Sequence, residues 1–366
     1  MSQFQRIDTD VHVRWPSDST LLSRLPLSWQ DRWHGGSGHT QAGLRIYPKY
    51  YNPYEPTSSL RTVSEQAVVS PGELISDWIT PHALDAAVLS VYDAPLISTF
   101  GDIDYPIELA RAVNSWMAEE WLDADERFYG SIVIASQDPV AAAAEIRRAA
   151  THPRMVQVML PNGTRFPYGH RHYYPIYEAA SDCGLALAIH AGTEGMGTSF
   201  PPTPSGWPGT VAEMRVTRST TFLAHFTSLI TEGVFVKFPD LRVIALETGV
   251  AWLPPYLWRF DKNYKALRSE CPWLKELPSD YTRRFFRFGT QGAEPADPPS
   301  EFWRLLHSVG IDEYLIYSSN HPRWDTESPE SSFILSSCPP ELLDTIWAGA
   351  AQHTYPRMND ARALRL

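Results

Sequence analysis

Eight short apolar runs, separated by segments with helical spacing, constrain the fold of this chain more than any other feature. The runs are rich in β-branched and aromatic residues and do not alternate with polar ones, which is typical of strands buried on both faces. The predicted strands are Arg6–Val13, Ala87–Tyr92, Tyr129–Ala135, Met155–Leu160, Leu185–His190, Leu241–Glu247, Phe286–Thr290 and Tyr314–Ser318. The clearest predicted helices between them are Ile107–Ala124, Pro139–Ala150 and Tyr174–Cys183. This alternation predicts an α/β fold, a (β/α)8 barrel.

The alternative fold is an open, doubly wound parallel sheet. That fold usually has a glycine-rich turn after its first strand, whereas this chain continues as DTDVHVRW. We therefore expect one barrel domain over residues 1–366, since single barrels often exceed the usual domain length of roughly 150 residues. Two long segments, 14–81 and 192–221, follow strands and interrupt the pattern. Their Trp and Tyr residues need a surface to pack on, so we expect lids over the active face rather than disorder.

Composition excludes several classes of function. The 31 basic and 42 acidic residues leave a net charge of −11, which favours neither nucleic acid nor an anionic membrane surface as a partner. The three cysteines are far apart and lack CxxC spacing, so neither a disulfide framework nor a thiolate zinc site is indicated. The N-terminal residues do not resemble a secretory signal, and no apolar run approaches the roughly 20 residues of a membrane span. We expect a cytoplasmic protein that acts on a small molecule.

Polar side chains stand where predicted strands end. Asp10 and His12 are two residues apart in the first strand, so both project to the same side and can form one edge of a divalent metal site. His190 ends the fifth strand and opens onto a glycine-rich segment, Glu247 ends the sixth, and Asn320 follows the eighth. Each could instead have a structural role, such as an Asp–His hydrogen bond or a packed core histidine. Together, on one face of a barrel, they indicate a catalytic site.

Other histidines fit structural roles better. His225 lies in a helical pattern before the sixth strand, and we expect a packing or surface role for it rather than a catalytic one. His170 and His172 precede a helix in a polar turn and should face solvent, while His34 and His39 lie among glycines in the first long segment.

Four motifs carry a family resemblance. IDTDVHV, HYYPIYEAASDCGLALAIHAG, EGVFVKFPDLRVIALETGVAWLP and YSSNHPRWD resemble, in the same order, the amidohydrolase-related group typified by aminocarboxymuconate-semialdehyde decarboxylase. That group also contains hydroxybenzoate-type decarboxylases, lactone hydrolases and a hydratase. The resemblance implies a distorted barrel of the amidohydrolase superfamily with one divalent metal ion, zinc or manganese. It matches Asp10, His12 and His190 to metal ligands, and Glu247 to a position where the decarboxylases carry a proton-handling histidine.

The chain departs from this family at the eighth strand. Asn320 stands where the family has an aspartate that binds the metal and serves as a base in hydrolytic members. An amide oxygen can coordinate a metal but cannot take a proton from water near neutral pH. Counting charges alone, we expect Asn320→Asp to tighten metal binding.

The resulting functional prediction is a metal-dependent hydrolase or carboxy-lyase. It would decarboxylate a small cyclic or aromatic substrate, or hydrolyse an amide- or lactone-like bond. Glu247 would handle protons, and the fourth metal position at Asn320 would be weakly bound or vacant. Candidate substrate contacts are Trp15, Trp207, His321 and Arg323. We expect a homodimer. The alternative is a metal-free or catalytically reassigned barrel that only binds a small molecule, because Asn320 replaces the usual aspartate.

Overall fold

Eight parallel strands form the centre of the protein. The computed structural model describes residues 4–32, 68–92 and 94–363. The strands are β1 (Ile7–Val13), β2 (Ala86–Val91), β3 (Phe128–Val133), β4 (Met155–Pro161), β5 (Ala186–His190), β6 (Val243–Leu246), β7 (Phe286–Gly289) and β8 (Leu315–Ile316). Each pairs in parallel with the next, in the order β1 to β8. The eight predicted strands and the predicted barrel are thus confirmed.

The barrel closes between β1 and the residues that follow β8. Thr9 N donates to Tyr317 O at 3.0 Å, Asn320 N donates to Asp10 O at 3.0 Å, and His12 N donates to the carbonyl oxygen of His321 at 2.6 Å. Because β8 itself has only two residues, this closing seam is built from the chain just beyond it. The seam therefore contains several of the predicted site residues.

Helices surround the strands, with three short helices before β2. The α-helices are α1 (Asp18–Leu22), α2 (Leu27–Arg32), α3 (Pro71–Leu74), α4 (Asp104–Trp116), α5 (Pro139–Ala149), α6 (Tyr174–Asp182), α7 (Val211–Thr217), α8 (Ser219–Thr231), α9 (Val234–Lys237), α10 (Leu253–Ala266), α11 (Pro278–Phe285), α12 (Pro299–His307), α13 (Phe333–Ser337), α14 (Ala350–Thr354) and α15 (Pro356–Ala363). Wider π-helical turns occur at Ile75–Ile79, Met117–Leu122 and Thr345–Gly349. Within the described ranges, no helix is long and apolar enough to cross a membrane.

Local sequence explains where these helices begin and end. The side chain of Asp138 accepts from the backbone of Val140 and Ala141 at 3.0 Å, and a proline opens α5, as predicted for this Asp-Pro start. Helix α6 stops before Gly184, whose φ of 64° suits glycine. The helix predicted over Ile107–Ala124 begins earlier, at α4, and widens into the π-helical turn Met117–Leu122 instead of continuing as regular α-helix.

The distribution of buried apolar and polar side chains shows which end of the barrel carries the candidate site. Every residue of all eight strands is buried, which agrees with their almost continuous apolar sequences. One cluster of side chains, including Phe4, Ile7 and Tyr355, fills the interior. The Tyr355 hydroxyl donates to Gln157 Oε1 at 2.7 Å inside this region. Polar side chains gather instead where the strands end.

The two long segments differ partly from the prediction. The segment 192–221 is not a loop throughout, because α7 starts at Val211 and α8 at Ser219. Thr210 caps α7 by accepting from Glu213 N at 3.1 Å, so the irregular part ends there. Of the segment 14–81, the described parts contain α1, α2, α3 and a π-helical turn. His34 and His39 lie outside the described residues.

Candidate metal centre

Asp10, His12 and His190 meet at the carboxyl ends of β1 and β5. Asp10 Oδ1 lies 3.3 Å from His12 Nε2, and Asp10 Oδ2 lies 3.3 Å from His190 Nε2. The two imidazole rings are nearly perpendicular, with centroids 5.1 Å apart. One ligand atom from each residue falls within 4.8 Å of the others. The three predicted ligands therefore form one compact cluster, although they come from two strands that are not neighbours in the sheet.

The polar atoms of this cluster lack ordinary partners. Both oxygens of Asp10, both ring nitrogens of His12 and Nε2 of His190 are buried without a hydrogen-bond partner among the described residues. The Nδ1 of His190 is 2.5 Å from Ala191 O, so Nδ1 carries the proton and Nε2 keeps its lone pair. Leaving such groups unsatisfied costs roughly 1–3 kcal/mol each. A carboxylate and two neutral imidazoles are suitable ligands for zinc or manganese, so the cluster fits a divalent ion.

Asn320 and Glu247 lie beside this cluster in the same unusual backbone conformation. Their φ angles are 61° and 55°, in the left-handed region that non-glycine residues seldom adopt. The Asn320 amide Nδ2 donates to Glu247 Oε1, and also to Asp325 Oδ1 at 3.0 Å. Its Oδ1 is buried with no hydrogen-bond partner in the described part of the chain. Sequence reasoning placed both residues at the site, but it could not show that they contact each other.

Arginine side chains determine the charge of Glu247. Arg218 Nη1 donates to Glu247 Oε2 at 2.7 Å, and both side chains are buried. Burial alone would raise the pKa of the Glu247 carboxyl, but the charges of the nearby arginines, Arg218 and Arg323 foremost, lower it to about 2. Glu247 is therefore ionised at neutral pH. It can accept a proton there, but it holds none to donate.

Arg323 and His321 flank the cluster on the seam. The Arg323 guanidinium carbon lies 4.6 Å from the centroid of the Tyr92 ring, and the residue is buried. The His321 ring stacks on Trp78, with centroids 4.0 Å apart. Burial, followed by the nearby His12, lowers the pKa of His321 to about 3, so this ring is neutral at physiological pH.

The two predicted tryptophan contacts lie elsewhere. Trp15 belongs to the main hydrophobic core and meets Trp116 edge-on at a centroid distance of 6.4 Å, so these contacts give it a packing role and do not support substrate contact. Trp207 is 47% exposed and lies against Gly195, near the surface end of the 192–210 segment. Neither tryptophan is brought into the metal cluster by a described contact.

Sequence reasoning missed several residues of the site. Asp8 precedes the cluster on β1 and accepts hydrogen bonds from Trp78 Nε1 and Ser319 N at 3.0 Å each. The alternating positions of Asp8, Asp10 and His12 could have indicated that Asp8 also belongs to the site. Burial raises the pKa of Asp8 to about 7 despite these hydrogen bonds. Arg215 and Arg218 had no local signal, because they lie on α7 and at its junction with α8, far from any predicted strand end.

The remaining histidines have structural positions. His225 Nδ1 accepts from Tyr168 N at 3.2 Å, and its Nε2 lies 2.7 Å from Asn162 O, so this buried ring joins α8 to the chain after β4. The predicted packing role for His225 is what the structure shows. His170 is exposed, as predicted, and His172 is partly exposed.

The fold and the cluster define a (β/α)8 barrel with a candidate divalent-metal centre at the carboxyl ends of its strands. The sequence model of the family described as amidohydrolase matches residues 80–357. The chain belongs to this amidohydrolase family, as its motifs indicate.

Curated relatives are decarboxylases by name. Gamma-resorcylate decarboxylase from Rhodococcus jostii is 26% identical over 226 residues, which cover 56% of this chain and 64% of that protein. The enzyme of the same name from a Polaromonas species is 24% identical over 238 residues, 58% of this chain and 66% of that protein. The chain thus spans slightly less than two thirds of the length of these relatives.

Solved structures share the barrel. The 5-carboxyvanillate decarboxylase of Novosphingobium aromaticivorans, with manganese and 4-hydroxy-3-methoxy-5-nitrobenzoic acid, aligns with a TM-score of 0.69 and 19% identity over 97% of this chain and 96% of that one. A dihydroxybenzoic acid decarboxylase from a Polaromonas species, with manganese and 2-nitroresorcinol, aligns with a TM-score of 0.68 and 18% identity over 96% of both chains. At sequence identities this low, the structural similarity establishes the fold alone.

Proposed function

We propose that this protein is a decarboxylase of small hydroxylated aromatic carboxylates that depends on one divalent metal ion, manganese or zinc. Asp10, His12 and His190 would hold the ion, and Asn320 would supply a neutral fourth oxygen. The observation that carries the proposal is the buried cluster of unpartnered ligand atoms beside the buried cations Arg218 and Arg323. The names of the curated relatives support the reaction type.

Decarboxylation suits the side chains around the cluster better than hydrolysis does. Hydrolysis needs a general base that takes a proton from water, and the neutral amide of Asn320 cannot do so. In decarboxylation the bond between the ring and the carboxylate breaks, CO2 leaves, and the electron pair stays on the ring carbon, which then takes a proton. A bound divalent ion would supply polarisation of a substrate oxygen.

Several residues would bind and orient the substrate. The planar guanidinium of Arg323 can pair with a carboxylate through two parallel hydrogen bonds, and its buried position strengthens such a pair. The neutral ring of His321, held by Trp78, offers a flat surface beside the seam. Trp207 would contact the substrate from the 192–210 segment. Glu247 is the proposed proton-handling group, and because it is ionised it must first accept the proton that it passes on.

The proposal is tested with protein loaded with Mn²⁺ and a panel containing 2,6-dihydroxybenzoate and 5-carboxyvanillate. We expect release of CO2 and of the matching phenol from at least one compound, and loss of both after treatment with a chelator. His190→Ala should abolish turnover and bound metal, while His225→Gln serves as a matched control because His225 is equally buried but lies outside the cluster. Hydrolysis of lactones or esters without CO2 release would contradict the proposal.

A second candidate function is binding of a small molecule without metal or turnover, which the neutral Asn320 favours. Elemental analysis separates the two, because this candidate requires wild-type protein that stays empty after incubation with manganese or zinc.

We also propose a cytoplasmic homodimer. The free thiols at Cys183, Cys271 and Cys338 suit a reducing compartment, and sedimentation would measure the oligomeric state.

A further inference from the structure

The amide of Asn320 lies between two carboxylates. Its Nδ2 donates to Glu247 Oε1 and to Asp325 Oδ1, from residues that follow β6 and β8 respectively. Asn320 is fully buried; its hydrogen bond to Glu247 is buried and that to Asp325 is partly buried. An amide nitrogen has two hydrogens, and both are used here.

Each of the two carboxylates is in turn held by an arginine. Arg218, at the N-terminal junction of α8, pairs with Glu247 at 2.7 Å, and Arg215 on α7 pairs with Asp325. Gln291 Nε2 also donates to Asp325 Oδ2 at 3.2 Å. Arginine remains protonated under all ordinary conditions, so each of these carboxylates lies beside a permanent positive charge. The two acceptors of the Asn320 amide are therefore carboxylates whose positions are fixed by ion pairs.

This arrangement determines which way the amide points. The opposite orientation would place the amide oxygen against two negatively charged carboxylates, and it would leave the NH2 group without acceptors. In the observed orientation Oδ1 is left buried and unpartnered among the described residues. The backbone N–H of Asn320 donates a hydrogen bond to Asp10 O at 3.0 Å, so Asn320 lies next to the candidate ligand Asp10. Negative charge at the NH2 end also polarises the amide and makes its oxygen a stronger donor to a cation.

We propose that Glu247 and Asp325 are positioning residues, which clamp the Asn320 amide so that its oxygen faces the Asp10–His12–His190 cluster. The inference rests on the metal site of the proposed function. It gives Glu247 a role that does not depend on proton transfer. It also makes α7 and its junction with α8 part of the site, since they supply the arginines that hold the clamp.

The chain contains a matched network outside the site. Asn114 Nδ2 donates to the buried Glu145 Oε1 at 2.7 Å, and Glu145 pairs with Arg148 at 2.7 Å. This second Asn–Glu–Arg arrangement joins α4 to α5 and contacts none of the ligands. Glu145→Gln therefore imposes the same chemical change on a network that has only a structural role.

The experiment compares Glu247→Gln, Asp325→Asn and Glu145→Gln with the wild type. Titration calorimetry of metal-free protein with Mn²⁺ measures affinity, the visible absorption of Co²⁺-loaded protein reports the ligand set, and thermal unfolding of the metal-free form reports stability. In Glu247→Gln a single amide oxygen replaces the two carboxylate oxygens, so it can face Arg218 or Asn320 but not both, and the Asn320 amide should lose its fixed orientation. We expect a loss of Mn²⁺ affinity of at least about tenfold and an altered Co²⁺ spectrum. Asp325→Asn should also weaken Mn²⁺ binding and alter the Co²⁺ spectrum.

The control separates positioning from stability. Glu145→Gln should lower the unfolding temperature while leaving Mn²⁺ affinity and the Co²⁺ spectrum as in the wild type. Wild-type affinity and spectrum in both site variants would overturn the clamp and leave the proposed function intact. A wild-type protein that binds neither ion would instead remove the metal site, and with it the proposed function. Should Glu247→Gln fail to fold, Asp325→Asn tests the clamp alone, because Asp325 is less deeply buried.

Discussion

Glu247 and Asn320 are joined side chain to side chain while both hold a left-handed backbone at the ends of β6 and β8. Such a conformation costs of order 1 kcal/mol or more for a residue with a β-carbon, and less for asparagine than for glutamate. It persists where the surrounding structure enforces it, which happens mostly at functional sites. Two positions at which the sequence resemblance implies other residues are thus parts of one local structure.

Replacement of Asn320 by aspartate should weaken metal binding, the reverse of what counting charges predicts. The new carboxylate would face Glu247 and Asp325 without either of the present hydrogen bonds. An uncompensated buried charge should also lower the free energy of unfolding by roughly 3 kcal/mol. The backbone should be unaffected, because aspartate also tolerates the left-handed region.

Calorimetry with Mn²⁺ and urea unfolding at pH 7 measure both effects of Asn320→Asp. Asn114→Asp is the control, since it places a carboxylate against the buried Glu145 and should destabilise the protein without altering metal affinity. Tighter binding of Mn²⁺ at unchanged stability would restore the charge-counting expectation.

Removal of the Arg218 cation should destabilise the protein strongly. Arg218→Met leaves Glu247 buried and without its ion-pair partner, and breaking a buried pair in this way costs roughly 3–5 kcal/mol. Arg304→Met removes an arginine from the exposed pair with Glu301, where water screens the charges, and should change stability far less. Denaturant unfolding of the two variants side by side checks the contrast, and equal losses would show that Glu247 finds another cation.

His225 should contribute to loss of stability in acid. Burial lowers its pKa in the folded protein to about 4, whereas an unfolded histidine titrates near 6.5. Below pH 6.5 the unfolded chain binds a proton that the folded protein does not, so stability is present above that pH and falls until about pH 4. From pH 7 to pH 5 this group alone should remove about 2 kcal/mol.

The measurement compares the wild type with His225→Gln, both free of metal. Urea unfolding at pH 7 and at pH 5 gives the free energy of unfolding of each protein. Glutamine keeps a donor for Asn162 O but does not titrate. The variant should therefore lose about 2 kcal/mol less than the wild type over this interval. Parallel losses would show that the folded protein accepts the proton on His225 without difficulty.

Gly195 should control the position of Trp207. A β-carbon on Gly195 would come within 2.5 Å of Trp207 Cζ3 and 2.7 Å of Pro202 Cγ, and the φ of 76° already disfavours any other residue. Gly195→Ala should therefore displace the Trp207 ring, which limited proteolysis of the 192–210 segment and a rise in KM would report. Gly206→Ala is the matched control, because its φ of 113° is equally unsuited to alanine but nothing lies within 4 Å of the added carbon. Similar proteolysis of both variants would assign the effect to backbone strain alone.

The barrel could be predicted because its strands are buried on both faces and so consist of almost unbroken apolar runs. The candidate ligands could be predicted because Asp10 and His12 lie in the second half of one such run and His190 ends another. The arginines that hold the two carboxylate partners of Asn320 could not be predicted. Arg218 is separated from Glu247 by 29 positions, and Arg215 from Asp325 by 110. Neither position differs in local pattern from an exposed arginine, so only the packing of α7 and α8 against the strand ends reveals their role.

The seam between β1 and the chain after β8 has a consequence for how this protein assembles. Thr9 and Tyr317 are 308 positions apart, and Asp10 is joined to Asn320 across the same seam. Once the ribosome has synthesised the chain through β5, Asp10, His12 and His190 are all present. The strand that closes the barrel, β8, has not yet been synthesised. Contacts of such long range form late, because the entropy of closing so large a loop is lost before they stabilise anything. An incomplete chain in the cell would thus carry the three candidate ligands on the two edge strands of an open sheet, exposed to metal ions and to chaperones before the eighth strand is made.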